Sequence, residues 1–187
     1  SRPELLHHVD FREGSSGARR AVGEILVAGL PHAAFINAAF AYFRPRELNR
    51  FNGPGRGAWY AALSLETCIK EVAFHMTREL TRVNDFNATV DYAEMFASFA
   101  GAFVDLREVA PRPICLDPDP MVAYPLGNAL ADAARARGHN GIVYPSVRDA
   151  DGVCLVALWP HAVQSVTQGR VVRLMWRGAR TPVIKYS

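Results

Sequence analysis

The stretch that decides the fold is NRFNGPGRGAWYAALSLETCIKEVAFH, residues 49–75. It starts as a glycine-rich loop up to Gly57, continues as a short apolar and aromatic run, and then places apolar residues at helical spacing. Glycine and proline favour a loop, and a short apolar, aromatic run is typical of a buried strand. Ser64 is a good helix N-cap because its hydroxyl accepts a hydrogen bond from a backbone N–H of the first turn. The stretch therefore predicts a loop, a strand over 58–62 and a helix that begins after Ser64.

The predicted helix carries one acidic residue, Glu71, at the edge of its apolar face. That face is formed by residues at helical spacing: Leu65, Cys68, Ile69, Val72 and Met76. A carboxylate at the rim of a core is partly desolvated and held in place, which suits a catalytic role. The alternative is an ordinary surface glutamate paired with Lys70 or His75. Glu71 and His75 also have the spacing of a metal-ligand pair, but no third ligand lies nearby, so we expect no metal.

The rest of the chain mixes helices and strands without regular alternation. Polar residues 1–14 predict an N-terminal arm, and 110–120 predicts a proline-rich loop. Helical spacing indicates helices over Ser15–Ala28 and Leu126–Arg137, while apolar or alternating runs indicate strands over Val90–Phe96, Phe103–Arg107, Gly141–Tyr144, Val153–Trp159 and Arg170–Arg177. Residues 32–43 fit either a helix or a strand. This order favours one α+β domain over residues 1–187, with a largely antiparallel sheet.

Composition narrows the class of protein. Half of the 187 residues are hydrophobic and the net charge is only +3, so the chain is globular and its charge alone does not indicate a nucleic-acid partner. Nineteen of its 21 basic residues are arginines, because Lys70 and Lys185 are the only lysines. That bias suits phosphate contacts, although a GC-rich genome produces it too. Three scattered cysteines predict buried, reduced thiols, and no apolar run reaches the ~20 residues of a membrane helix, so we expect a cytoplasmic protein.

Four motifs in this order resemble the RES domain family, the toxin half of Xre–RES toxin–antitoxin pairs. They are Arg50-Phe51-Asn52, Tyr60-Ala61-Ala62, the run Ser64–Glu71 and the later segment Gly141–Arg148. The match spans roughly residues 35–160 of the sequence. The resemblance implies a split, largely antiparallel β-core with surrounding helices, similar to ADP-ribosyltransferases, and it assigns Ala38–Tyr42 to a strand. It also implies that NAD is held in a cleft as a substrate.

The resemblance assigns a role to each candidate site residue. Glu71 would stabilise the cation that forms when the nicotinamide–ribose bond breaks, with Arg50 and Tyr60 as the other catalytic residues. Arg50, Asn52, Tyr60 and Ser146 would bind the dinucleotide, and Tyr60 rather than Trp59 would face the cleft. Arg56 and Arg148 are weaker phosphate-binding candidates, as are the backbone N–H groups of the glycine loop. The non-functional alternatives are that Arg50 is a solvated arginine, Tyr60 a core residue and Ser146 a turn residue. The family's further upstream arginine has two candidates here, Arg12 and Arg20.

The resemblance also implies a partner, an Xre-type antitoxin that occludes the cleft. The acceptor of ADP-ribose stays open between a protein, phosphate and water. We expect neither membrane binding nor direct nucleic-acid contact. Two other functions remain possible from the sequence: a module that binds a nucleotide without cleaving it, and an RNA-directed toxin.

Overall fold

The computed structural model describes residues 27–41 and 48–187. Its helices and strands, in chain order, are α1 (Ala33–Ala41), β1 (Trp59–Ala62), α2 (Leu65–Val83), β2 (Asn87–Phe99), β3 (Phe103–Asp105), α3 (Pro120–Ala136), β4 (Gly141–Pro145), β5 (Val153–Ala157), β6 (Val163–Arg177) and β7 (Val183–Tyr186), with short 3-10 helices at Ile114–Leu116 and Pro160–Ala162. The predicted arm 1–14, most of the predicted helix Ser15–Ala28, and both Arg12 and Arg20 lie outside the described residues. Val27 and Ala28, which are described, are not helical.

The strands form two separate sheets. One has four strands in the order β1-β5-β4-β3, and the other has three in the order β2-β6-β7. Every pairing is antiparallel except that of β3 with β4. The predicted α+β class, with a split and largely antiparallel β-core and helices around it, is confirmed.

The four-stranded sheet is buried on both faces, and side chains alternate between two core clusters. On β1, Trp59 and Ala61 point into one cluster, while Tyr60 and Ala62 contact the other. The cluster of Tyr60 and Ala62, called the main core here, also contains Cys68 and residues of α3, β4 and β5. Trp59 and Tyr60 therefore point to opposite faces of the sheet, and that Tyr60 lines a cleft stays a prediction.

Helix α2 has the boundaries that its cap residues specify. Ser64 has extended backbone angles and its side chain accepts a hydrogen bond from the N–H of Thr67. Asn84 ends the helix in the left-handed conformation, with φ of 52°, and donates to the carbonyls of Leu80 and Thr81. Because both caps are local, the sequence predicted this helix and its start correctly.

The strand assigned to Ala38–Tyr42 is wrong, because Ala38–Ala41 belong to helix α1. Alanine favours a helix, and this stretch lacks the apolar–polar alternation of a half-buried strand. Gly57 lets α1 approach closely: a side chain at Gly57 would overlap the backbone of Ala39 and Phe40. The N–H of Gly57 also donates to the carbonyl of Phe40 at 3.3 Å.

Helix α3 begins earlier than predicted, at Pro120 instead of Leu126. Asp119 caps it by accepting a hydrogen bond from the N–H of Met121 at 2.9 Å. Proline is well tolerated in a first helical turn, where its missing N–H has no partner to lose. Pro125 lies inside the helix on an exposed position. The strand predicted over Arg170–Arg177 is the second half of β6, with Val172, Leu174 and Trp176 buried as expected.

Candidate active site

Glu71 projects from α2 at the rim of the main core, half-buried. The hydroxyl of Ser146 donates a hydrogen bond to its Oε1 at 2.7 Å. The thiol of Cys154, on β5, approaches the same oxygen at 3.7 Å. A carboxylate that accepts from two neighbours is fixed in position before any ligand arrives. The structure therefore supplies Glu71 with the orientation that a catalytic carboxylate requires.

Ser146 is buried, with 3% of its surface exposed, and it lies just after β4. Its Oγ accepts hydrogen bonds from the N–H groups of Arg148 and Asp149, both at 3.1 Å. A hydroxyl has one donor and two acceptor positions, and Ser146 uses all three inside the protein. The serine thus orients Glu71 and shapes the turn that follows it.

The turn after Ser146 is fastened to the start of α2. Asp149 accepts a hydrogen bond from the Thr67 hydroxyl at 2.7 Å and forms an ion pair with Lys70 at 2.8 Å. These two donors, Lys70 first, lower the pKa of the Asp149 carboxyl below its usual value. Because Thr67 is itself buried, this contact ties the turn to the part of the helix that leads to Glu71.

Arg50 is buried, with 8% of its surface exposed. Its Nη1 donates to the carbonyls of Cys115 at 2.6 Å and Asp117 at 3.2 Å. Its guanidinium carbon lies 5.5 Å from the centre of the Tyr124 ring. One end of the guanidinium fork is therefore engaged with the proline-rich loop.

Tyr60 and Asn52 form hydrogen bonds within and to the glycine-rich loop. The Tyr60 hydroxyl accepts from the N–H of Phe51 at 2.9 Å and donates to Oδ1 of Asn52 at 2.8 Å. The Asn52 amide in turn donates to the carbonyl of Arg56 at 3.1 Å. Burial raises the pKa of the Tyr60 phenol well above its usual value. Both side chains bond to the loop that presents Arg50.

The charges of Arg50 and Glu71 both act on one buried residue, Tyr144. The rings of Phe51 and Tyr144 meet edge to face, with their centres 4.9 Å apart. Burial is the main cause that raises the pKa of the Tyr144 phenol, the charge of Glu71 adds to the rise, and that of Arg50 opposes it. Both charged groups therefore act on the same buried phenol. Hydrogen bonds join Glu71 to Ser146, and separately join Tyr60 to Asn52 and to the loop that carries Arg50. That these residues form one site stays a prediction.

Two arginines flank this group on the side of the proline-rich loop. Arg148 donates to the carbonyl of Pro118 at 2.8 Å, and its guanidinium carbon lies 3.5 Å from the centre of the Phe74 ring. Arg112 donates to the carbonyl of Ser146 at 3.2 Å. A hollow of about 350 Å³ adjoins them, and its walls are Arg112, Pro113, Ile114, Leu116, Asp117, Pro118 and Val147. Arg50, Asn52, Tyr60, Glu71 and Ser146 are not among the residues that line this hollow.

Sequence reasoning missed several members of the site. Tyr144 and Cys154 were assigned only to strands, although the alternation of β4 and β5 places them on the same face as the main core. Phe74 follows Glu71 by three positions on α2, so the helical period could have placed it beside Glu71. Arg56, a weaker phosphate candidate, forms an exposed ion pair with Asp132 at 2.8 Å.

Among residues 27–41 and 48–187, no three His, Cys, Asp or Glu side chains are grouped as a metal ion would require. Cys68, Cys115 and Cys154 are buried thiols that form no disulfide bond, as predicted. Within the same part of the chain, no helix combines the length and apolarity needed to cross a bilayer.

The two mostly antiparallel sheets and their helices define the protein as one of the α+β class, with a carboxylate held by a buried serine at the rim of its core. The family model described as "RES domain" matches residues 25–177, which is most of the chain, and the protein therefore belongs to the RES domain family. The family predicted from the order of the motifs is confirmed. Membership implies a module of the toxin–antitoxin type with an NAD-related role. Among curated proteins, no significant match is found.

Proposed function

We propose that this protein consumes NAD by cleaving the bond between nicotinamide and ribose and transferring ADP-ribose to an acceptor. The observation that carries the proposal is the Glu71 carboxylate, held by Ser146 at 2.7 Å at the rim of the main core. Membership of the RES domain family supports NAD as the substrate. The acceptor is a protein, phosphate or water.

The chemistry needs a fixed negative charge near the sugar. As the C–N bond breaks, its electron pair leaves with nicotinamide, which becomes neutral, and positive charge develops on the anomeric carbon and ring oxygen. Glu71 stabilises that charge in the transition state, as carboxylates do in glycosidases. An acceptor oxygen then forms the new bond and releases its proton to solvent. Arg50, Asn52 and Tyr60 hold the loop that lies over the dinucleotide.

The test is release of free nicotinamide from NAD by the purified protein, with and without phosphate and a candidate protein acceptor. We expect Glu71→Gln to slow release by about 100-fold or more, because the amide keeps the shape of the side chain but loses its charge. Glu66→Gln is the matched control, since Glu66 is an exposed glutamate on the same helix. Its rate should stay within about twofold of the parent protein.

Full activity of Glu71→Gln would remove this residue from the mechanism. Absence of nicotinamide release by the parent protein under every acceptor condition, combined with NAD binding, would instead favour a nucleotide-binding module. Mass spectrometry of the products from labelled NAD separates ADP-ribose, phosphorylated ADP-ribose and a modified protein, and so identifies the acceptor.

The proposal includes a protein partner. A toxin of this type is held inactive by a cognate Xre-type antitoxin, which we expect to occlude the opening beside the proline-rich loop. Protection of residues 112–118 from hydrogen exchange in the complex would support that location, and protection confined to the β7 edge would contradict it.

A further inference from the structure

Arg78 and Arg148 converge on the same side of the candidate site. Arg78 follows Glu71 by seven positions on α2 and Phe74 by four, so all three share one face of the helix. The Arg148 guanidinium lies against Phe74, with its carbon 3.5 Å from the ring centre. The helix face that carries Glu71 therefore also carries Arg78, and Arg148 packs against the same face from the turn after β4.

Arg78 has a buried donor that the protein does not satisfy. Its Nε is inaccessible to solvent and has no hydrogen-bond partner among residues 27–41 and 48–187. The Glu79 carboxylate lies 4.0 Å from its Nη2, but Arg82 binds that carboxylate more closely, at 3.1 Å. A buried N–H without a partner destabilises a protein, and a bound anion is one way in which such a donor is satisfied.

Charges of both signs act on the partly buried Arg148 guanidinium. Burial lowers the pKa of the Arg148 guanidinium, and the positive charges of Arg50 and Arg78 lower it further, while Glu71 raises it. The charges of Arg50 and Arg78 thus both act on Arg148, as does the charge of Glu71. Like charges held together in a partly buried place favour the binding of an anion.

We propose that Arg78 and Arg148 form a phosphate-binding wall beside Glu71 that grips the diphosphate of the nucleotide substrate. The inference rests on the proposed function, because it places the diphosphate one sugar ring away from the bond that Glu71 helps to break. Paired arginines suit a diphosphate since each planar fork bonds two oxygens. Arg50, the sequence-based candidate for this task, already donates through Nη1 to two loop carbonyls.

The test measures binding of inorganic pyrophosphate to the full chain by calorimetry, in Arg78→Gln and in the parent protein. We expect the substitution to weaken binding roughly tenfold, because it removes a charge-assisted contact. The matched control is Arg82→Gln, which removes a more exposed arginine from the same helix and should change the dissociation constant by less than about twofold. Equal affinity of Arg78→Gln and the parent protein would overturn the inference, as would a parent protein that binds no pyrophosphate.

Steady-state kinetics separate this inference from the proposed function. Arg78→Gln should raise KM for NAD with kcat nearly unchanged, whereas Glu71→Gln should lower kcat and still bind pyrophosphate. If nicotinamide is released at a rate that does not depend on Arg78, the phosphate-binding role of Arg78 is wrong and the proposed function is unaffected. If pyrophosphate binding depends on Arg78 but no nicotinamide is released, the proposed function is wrong and the phosphate-binding role is retained. Arg78→Lys, which keeps the charge, should recover part of the affinity for pyrophosphate. The Tm of Arg78→Gln should equal that of the parent protein, so that its weaker binding does not come from lost stability.

Discussion

Ser146 illustrates how much of the site depends on a single side chain. Its hydroxyl donates to Glu71 and accepts from two backbone N–H groups of the following turn. The sequence predicted it as a residue that binds the dinucleotide directly. The structure gives it three partners within the protein, so its observed contacts are those of a residue that positions Glu71.

We expect Ser146→Ala to impair both stability and catalysis. The free energy of unfolding should fall by about 1–3 kcal/mol, because the change leaves buried polar groups without a partner. The kcat of nicotinamide release should fall by about tenfold or more, since Glu71 loses its closest donor and becomes mobile. Urea unfolding and nicotinamide release measure the two effects.

Ser165→Ala is the control for this variant. Ser165 is exposed, and its hydroxyl bonds that of Ser98 at 2.6 Å, on the other sheet. Its replacement should change the free energy of unfolding by less than about 0.5 kcal/mol. A Ser146→Ala protein that is less stable but retains full kcat would show that the hydrogen bond to Glu71 has no catalytic consequence.

At the scale of elements, α3 and the Arg50 loop pack so closely that only glycine fits between them. A side chain at Gly127, inside α3, would overlap the carbonyl oxygen of Arg50. The same helix presents Asn128, whose amide donates to the carbonyl of Asn49 at 2.8 Å. Helix α3 thus fixes the position of the loop backbone and, with it, the position of Arg50.

We expect Gly127→Ala to destabilise the protein by about 1–3 kcal/mol through overpacking. The sign is informative, because glycine-to-alanine changes inside helices usually stabilise by about 0.5–1 kcal/mol. The loop shift should also raise KM for NAD. Thermal or urea unfolding and steady-state kinetics check both.

Gly138→Ala provides the comparison. Gly138 follows α3 with φ of +77°, and a side chain there would meet open space. Backbone strain should cost about 1–2 kcal/mol without any effect on KM. If Gly127→Ala stabilises the protein, the close contact between α3 and the loop is not present in solution.

The same scale shows where sequence reasoning succeeded and where it failed. Helix α2 was predicted with its start because Ser64 caps it through a contact three residues away. Helix α1 was mistaken for a strand in part, since alanine-rich stretches fit both classes until packing against Gly57 and the second core cluster decides. The first half of β6 was missed because its exposed polar residues pair with β2, which is remote in the sequence.

For the whole molecule, the buried phenols predict a loss of stability at alkaline pH. Burial raises the pKa of Tyr60 and Tyr144 above the unfolded value of about 10. A group whose folded pKa is raised contributes its full stability below the unfolded pKa and loses it as pH rises above that value. The free energy of unfolding should therefore fall above about pH 10, with a limiting slope of about 1.4 kcal/mol per pH unit for each tyrosine.

The measurement is urea unfolding at several alkaline pH values, together with tyrosinate absorbance of the folded protein. Tyr60→Phe should lower the slope even though it also removes two hydrogen bonds, while Tyr186→Phe, an exposed tyrosine, should leave the slope unchanged. Ionisation of all six tyrosines at ordinary pKa in the folded protein would contradict the burial of these hydroxyls.

The sequence by itself determined the elements whose signals are local and the family to which the protein belongs. Caps, glycines and apolar periodicity act over a few residues, so they predicted α2, β1 and the α+β class, and the order of the motifs predicted the family. Only the tertiary structure decided which contacts those residues make. Ser146 meets Glu71 across 75 positions of chain, and Arg148 lies against Phe74 because α2 and the turn after β4 pack together. Hydrogen bonds and charge–charge distances depend on displacements of less than an ångström, and these are set by the packing of all the elements together.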